Sequence, residues 1–572
     1  MKNKSVYDVR SIRDLKDMVE QSSTLFGSKD AFLLKNKDGS FRGITYSAFK
    51  EDIDAFGTAL LSLGLKDKYI AVIGENRYEW AVTYLSTVNG TGIIVPLDKE
   101  LHLSEIENLL ARSNASAVVF SGKQAEDMKK IAASLPSLQY FIHMDLTENE
   151  GNFLSFSSLV NEGKKRISSG DRSFIDAKID PDGMNILLFT SGTTDLAKGV
   201  MLSHRNICYN ITAVLSTVHV TSEDSCLSIL PMHHTYECTL GFLAMIYAGG
   251  TISFNEGLKY ISKNLKEYKP TLLFTVPLLL ENVHRKIWEQ AAKEKATLRK
   301  LKFALTISNV LLKAFKIDVR RGLFKQIQEN MGGRMRLILT GAAGIDPQVS
   351  RHFREFGIKV LQGYGLTECA PLVIGNRDHS YKDGSIGLPL PGMEVRIDNP
   401  GPDGVGELVV KGPNVMLGYF KNEEATAACL HDGWLRTGDL GYMDKDGFYF
   451  ITGRSKNVIV TKNGKNIFPE EVESYINKSP YVLESMVWGK YDEVSGETFV
   501  NAQIVPNFDA IKEKLKVPHV SMDDIKNLLN EAVKIANKSM PLYKRIQDFT
   551  IRETEFVKTT TKKIKRYIEN KK

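Results

Sequence analysis

The chain has 572 residues, 42% hydrophobic and 25% charged, with 75 Lys and Arg against 68 Asp and Glu and a net charge of +7. This is ordinary globular usage, which excludes a disordered or fibrous chain and leaves room for roughly three or four domain-sized units. Over this length so mild a charge argues against a dedicated nucleic-acid binder. Five cysteines, Cys208, Cys226, Cys238, Cys369 and Cys429, are widely spaced without a CxxC pair. Neither a disulfide framework nor a zinc ribbon is expected, and a reducing compartment is the simpler setting. The N-terminus lacks the apolar core of a signal peptide, and the most apolar stretches, such as 272–280, are too short to span a bilayer. A cytoplasmic protein is expected.

The first third alternates strand and helix. Residues 69–74 form a short apolar run ending in glycine, as a buried strand does, and 76–88 have helical spacing. A second strand is predicted at 92–96, a second helix at 103–111 and a third strand at 115–120. Repeated units of this kind imply a mostly parallel sheet covered by helices. After the middle, 271–275 and 335–340 read as strands. Between them a long helical stretch, about 279–330, is predicted to align Leu312, Phe315, Val319, Leu323 and Ile327 on one face, with a basic polar face. From about 395 short strands separated by Gly, Asp and Asn (405–410, 447–451, 457–461) suggest a smaller β-rich region. The rest mixes helices and strands and is rich in lysine. The best boundary lies near 453–456.

The strongest single feature is LLFTSGTTDLAKGV at 187–200. An apolar strand runs into hydroxyls and glycine, whose donors can surround phosphate oxygens, and Lys198 adds a positive charge. Taken alone, such a cluster is as often an ordinary surface turn. It is not a Walker A loop: counting from Gly192, the second glycine position holds Ala197, and Gly199 stands where Ser or Thr must follow the lysine. Four further segments follow in order: GYGLTE at 363–368, TGD at 437–439, GRSKN at 453–457 and KTTTKKI at 558–564. GAAGID at 341–346 and PMHHTYE at 231–237 are weaker signals. No metal-ligand spacing supports His233 and His234 as zinc ligands.

Together and in this order, the motifs resemble the AMP-forming adenylate synthetases, which include acyl-CoA synthetases, adenylation domains and beetle luciferases. The resemblance covers nearly the whole chain. It implies an α/β fold: a large N-terminal domain (1–454) of layered α/β subdomains plus a β-rich subdomain, and a small, mobile α+β C-terminal domain (457–572). It implies that a carboxylate attacks the α-phosphate of ATP, and that a thiol then displaces AMP from the acyl-adenylate. By resemblance, Thr190, Ser191, Gly192, Thr193, Thr194 and Lys198 hold the β- and γ-phosphates. Tyr364 stacks on adenine, with Gly341, Ala342 and Gly365 beside it. Thr367 contacts the α-phosphate and Glu368 holds Mg²⁺. Asp439 accepts from the ribose hydroxyls, Arg454 contacts the nucleotide and Lys456 is the hinge. Lys563 bridges the attacking carboxylate and the α-phosphate, and His234 lies on the acyl side. The sequence departs from the family pattern at Asp195, where glycine is usual, at Ala197, where proline is usual, and at Lys562, where glycine is usual.

Within the family, the long helical segment and GKNIFPEEV at 464–472 resemble long-chain fatty acyl-CoA synthetases. That implies a fatty acid, ATP and coenzyme A as partners, with no nucleic acid. An adenylating enzyme serving a carrier-protein thiol, and a catalytically degenerate nucleotide-binding regulatory protein, are the alternatives. The basic amphipathic stretch 312–327 fits a peripheral membrane contact, although a packed surface helix is its commoner use. Residues 285–325 carry twelve Lys and Arg against three acids, and 543–572 carry ten against four. The rest of the chain is therefore acidic on balance.

Overall fold

The computed structural model describes residues 5–190, 197–461, 466–492, 497–517, 519–558 and 564–569. These form two compact units. The first takes in most of the chain up to Glu394, together with Lys411–Leu435; the second takes in Val395–Val410 and the chain from Arg436 onward.

In chain order the strands of the first sequence half are β1 (Asp30–Lys35), β2 (Phe41–Thr45), β3 (Lys68–Ile73), β4 (Gly92–Leu97), β5 (Ala115–Phe120), β6 (Tyr140–His143), β7 (Phe153–Ser155), β8 (Met184–Thr190) and β9 (Lys198–Ser203). After them come β10 (Ser225–Ser228), β11 (Thr251–Phe254), β12 (Leu272–Thr275), β13 (Leu337–Thr340), β14 (Lys359–Gly365), β15 (Leu372–Gly375), β16 (Leu388–Pro389), β17 (Glu394–Asp398), β18 (Gly406–Lys411) and β19 (Gly418–Tyr419).

Two sheets organise the first unit. One runs β19-β9-β8-β4-β3-β5-β6-β7, and the other β16-β15-β14-β13-β12-β10-β11-β1-β2. Both are parallel in the middle, with antiparallel pairs toward an edge. Ile70, Ala71, Val72 and Ile73 of β3 are all buried, as are Val118, Val119 and Phe120 of β5. A strand covered on both faces needs such an uninterrupted apolar run. The helices α1 (Tyr46–Ser62) and α2 (Phe156–Ser168) pack so closely that a Cβ at Gly163 would lie 1.8 Å from the Ala55 carbonyl oxygen, so glycine is required there. The helix α3 (His204–Leu215) follows β9.

Between β12 and β13 lies a helical insert: α4 (Pro277–Ala292), α5 (Lys295–Phe315), α6 (Arg320–Leu323) and α7 (Lys325–Asn330). The continuous face predicted over 312–327 is not formed. The chain leaves the helix at Lys316, which has φ +59°. The Asp318 carboxylate then accepts from the Arg320 amide and pairs with its guanidinium, starting a new short helix. Two β-branched residues, Ile317 and Val319, flank an aspartate that bonds locally, and both features compete with helix continuation. Only Ile327 of the predicted stripe packs on the small core of Leu305, Phe324 and Phe356, while Phe315 and Leu323 stay exposed. Among the described residues no helix is long and apolar enough to cross a membrane.

The second unit carries β20 (Trp434–Met443), paired antiparallel with β21 (Tyr449–Arg454) in a sheet with β17 and β18. Beyond them β22 (Val482–Asp492), β23 (Glu497–Pro506) and β24 (Ile546–Ile551) form a three-stranded sheet. Helices Pro469–Ile476 and Met522–Lys538 share its core, which includes Val472, Ile476, Val487, Ile504 and Leu529.

His204, wholly buried at the start of α3, ties three segments of the first unit. Its Nδ1 accepts from the Leu15 amide and its Nε2 lies 3.0 Å from the Val88 carbonyl oxygen, so the Nε2–H tautomer satisfies both. Burial pushes its pKa down to about 4. The unfolded chain takes up a proton on this ring below about pH 6.5, whereas the folded chain does not until about pH 4. Its contribution is therefore whole above the upper value and is lost as pH falls toward the lower. We expect the stability advantage of wild type over His204→Asn to shrink by about 3 kcal/mol across that window, read from urea midpoints of the first unit.

Candidate active site

The strand β8 ends at Thr190 and β9 begins at Lys198, directly opposite in register. The Thr190 hydroxyl donates to the Lys198 carbonyl at 3.4 Å. Ser191, Gly192, Thr193 and Thr194, with Asp195, lie outside the described residues. Ala197 is anchored by its carbonyl, which accepts from the Arg112 guanidinium at 2.7 Å. Lys198 projects over the ring of Tyr419, its ammonium 4.7 Å from the ring centre. This is a cation–π contact. Pairing of β19 with β9 places Tyr419 opposite Val200 and so beside the lysine.

The Tyr419 hydroxyl donates to Glu368 Oε1 at 2.8 Å. Burial, then the Glu368 charge, pushes the phenol pKa up, so it remains a donor. Thr367 and Glu368 stand on a short 3₁₀ turn after β14. That turn is held through its backbone. The carbonyls of Cys369 and Leu372 each accept from two buried amides, Asn210 and Asn414. The Glu368 carbonyl accepts from the Met416 amide at 2.8 Å. Glu368 Oε2 makes no hydrogen bond among the described residues. One carboxylate with a spare oxygen near a lysine suits Mg²⁺, which prefers one or two carboxylates alongside phosphate oxygens. Among the described residues no cluster of three or more His, Cys, Asp or Glu forms a metal cage.

Beside this turn, backbones approach closely. A Cβ at Gly341 would lie 3.3 Å from the Gly363 carbonyl oxygen, and one at Gly365 would lie 2.0 Å from that of Pro371. Ala342 takes φ +70°, so the turn after β13 holds a non-glycine residue in the left-handed region. Tyr364 lies in β14, paired with Ile374. The Tyr236 hydroxyl donates to the Leu339 carbonyl at 2.8 Å, and its ring passes 3.8 Å from the Gly341 Cβ position. Tyr236 therefore links the turn after β13 to the segment bearing His234, which is two residues earlier and has its ring centre 4.2 Å from that of His233, tilted by 48°. Burial drives His233 down to about 3, so this ring is neutral. The Asn76 amide nitrogen donates to Ser228 Oγ and the Leu230 carbonyl, and its oxygen accepts from Met232. Ser228 Oγ in turn donates to Glu237. Burial raises the Glu237 carboxyl to about 8, which keeps it protonated at neutral pH.

Within the second unit, Asp439 and Arg454 face each other across β20 and β21 and form an ion pair of 2.9 Å. The Thr437 hydroxyl donates to the Leu408 carbonyl and accepts from the Asp439 amide, which fixes the TGD turn. Lys456 sits in the 3₁₀ turn Ser455–Asn457. Lys563 and Lys562 lie outside the described residues.

The model of the AMP-binding enzyme family matches residues 20–420. The chain belongs to this family. Relatives of this AMP-binding enzyme include long-chain-fatty-acid–CoA ligase 5 of Rattus norvegicus, 29% identical over 82% of this chain and 72% of its own. Long-chain-fatty-acid–CoA ligase FadD15 of Mycobacterium tuberculosis is 26% identical over 93% of this chain and 91% of its own. Fatty acyl-CoA synthetase A of Dictyostelium discoideum is 28% identical over 95% and 82%. Solved structures with the same fold include the anthranilate CoA ligase AuaEII with anthranoyl-AMP, with a TM-score of 0.76, 21% identity and coverage of 98% of this chain and 96% of that one. Another is ATP-bound MatB from Rhodopseudomonas palustris, with a TM-score of 0.71, 24% identity and coverage of 97% and 98%.

Sequence reading of the AMP-binding motifs missed Tyr419, Asn210 and Asn414. Each lies at least 40 residues from its partner, and Gly418-Tyr419 and Pro413-Asn414 read only as turn composition. If Tyr419 orients the Glu368 carboxylate, Tyr419→Phe raises the Mg²⁺ concentration for half-maximal ATP binding by about tenfold, the worth of one hydrogen bond to a charged group. Titration calorimetry of ATP at several Mg²⁺ levels reads this, and the melting temperature should hardly move.

Proposed function

We propose that this protein activates a fatty acid with ATP and transfers the acyl group to coenzyme A. The observation that carries this reading is likeness to fatty acyl-CoA ligases over more than four-fifths of the chain, within a family whose model matches 20–420. The fatty-acid carboxylate oxygen bonds to the α-phosphorus of ATP, and the bond to pyrophosphate breaks. The coenzyme A sulfur then bonds to the acyl carbon, its proton goes to solvent, and AMP leaves. Both steps depend chiefly on orienting anions and neutralising charge, which positioned backbone donors and lysines supply.

In this reading Thr190, Ser191, Gly192, Thr193, Thr194 and Lys198 hold the β- and γ-phosphates. Tyr364 stacks on adenine, and Gly341, Ala342 and Gly365 let the base approach the backbone. Thr367 holds the α-phosphate, Asp439 the ribose hydroxyls and Arg454 the nucleotide. His234 lies toward the acyl chain. Lys563 bridges the carboxylate and the α-phosphate as charge develops between them. Mg²⁺, held by Glu368, would neutralise phosphate charge when bound. Residues 457–572 swing about Lys456 between the two half-reactions, as mobile domains do in multistep enzymes. All five cysteines are free, which suits a cytoplasmic site of action.

With ATP, Mg²⁺ and a panel of saturated and unsaturated fatty acids, we expect pyrophosphate release, and AMP in equal amount to acyl-CoA once coenzyme A is added. No release with any carboxylate on the panel would overturn this function. Lys563→Ala should lower adenylate formation at least about a hundredfold, as loss of a key electrostatic group does, yet largely spare thioester formation from added acyl-AMP. Equal loss in both half-reactions would remove Lys563 from its proposed place.

A further inference from the structure

Helix α5 has two apolar faces on opposite sides. Leu301 and Leu305 turn inward, onto Phe324 and Phe356. Phe303, Ile307 and Val310 follow one another at intervals of four and three residues, which puts them on one stripe of the helix. They are 67%, 37% and 52% exposed. Phe315 and Ile317, at the end of the helix and just past it, are 64% and 52% exposed. Five cations border the stripe: Lys295, Arg299, Lys300, Lys302 and Lys313, all exposed. None of them makes an ion pair among the described residues.

We propose that this face of α5 docks the protein on an anionic lipid bilayer. Large apolar side chains within a ring of unpaired cations match the boundary between acyl chains and phosphate headgroups: the rings and branched chains enter the first, and the ammonium and guanidinium groups meet the second. A second copy fits poorly, because a face-to-face pair would bring two strongly basic regions together. Nucleic acid would engage the lysines but would gain nothing from Ile307 and Val310. The value of docking rests on the fatty-acid substrate proposed above, because such molecules partition into bilayers, but the docking itself needs no substrate.

Co-sedimentation of the full chain with vesicles tests this. On equimolar phosphatidylcholine and phosphatidylglycerol the protein should pellet at low salt and be released as NaCl is added. Pure phosphatidylcholine should retain about tenfold less. The double substitution Phe303→Ser, Ile307→Ser and the pair Lys300→Glu, Lys302→Glu should each weaken partitioning about tenfold. These side chains are exposed, so circular dichroism should be unchanged, as should adenylation of a fatty acid delivered in detergent. Wild-type partitioning of the serine variant would overturn the proposal. So would vesicle binding indifferent to phosphatidylglycerol, or a concentration-dependent dimer lost in the serine variant without any vesicle binding. Binding to a DNA duplex that both serine substitutions leave intact, with no vesicle binding, would assign the face to nucleic acid instead. Intact docking with no adenylation of any fatty acid would overturn the substrate proposed above and leave the membrane face standing.

Discussion

Register in the parallel half of the nine-stranded sheet is the constraint on which the first unit's site depends. Thr275 and Thr340 end β12 and β13 and stand abreast, with Gln362 of β14 in register beside Thr340. The turns that follow these strands therefore open along one edge, where ligands of open α/β sheets gather. The turn at Gly341, the 3₁₀ turn of Thr367 and Glu368, and the segment of His234 and Tyr236 after β10 all belong to that edge. A slip of one residue in β13 would send its inward side chains to the opposite face and break all three relations at once.

Position on an edge is not yet geometry, and buried polar groups supply the rest. The chain reverses from β14 into β15, and the carbonyls of Cys369 and Leu372 at this reversal accept from side chains. Asn210 from α3 and Asn414, near β19, take up both. Leaving such a buried acceptor unpaired costs about 1–3 kcal/mol, so the amides fix the turn as well as decorate it. With the backbone held, the Glu368 carboxylate needs only one contact for orientation, and Tyr419 provides it. The same ring carries Lys198 on its face. A lysine at the start of β9 and a carboxylate after β14 are thus set relative to one another by a single aromatic side chain.

Much of this was legible in the sequence, for stated physical reasons. Buried parallel strands announce themselves as short apolar runs ended by glycine, and β3, β4 and β5 fall where 69–74, 92–96 and 115–120 predicted them. The segment 187–200 announced an apolar strand running into a turn, and β8 ends at Thr190. What the sequence hid was long-range. Tyr419 is 51 residues from Glu368, and nothing in its neighbours signals the contact. The buried Glu237 was equally silent, because a carboxyl kept protonated by burial looks like any solvated glutamate. The helical insert misled in a different way: periodicity continued past Lys316, but a local aspartate bond ended the helix.

That local ending reshapes the meaning of the charge. The +7 of the whole chain conceals an acidic majority and two basic concentrations, one of them in 285–325. Had the helix run on through 312–327, its apolar residues would have spread along a single stripe, and packing that stripe on the domain would have accounted for them. Because α5 stops at Phe315, only Ile327 of the set is spent on the small core beneath the insert. Phe303, Ile307, Val310, Phe315 and Ile317 are left exposed. Exposed apolar surface set among unpaired cations is costly for a chain that needs only to stay in solution, since lysine alone would serve that end better. The pairing of the two is what an interface between water and anionic lipid selects for, and α5 offers both on one face while its other face secures it to the fold.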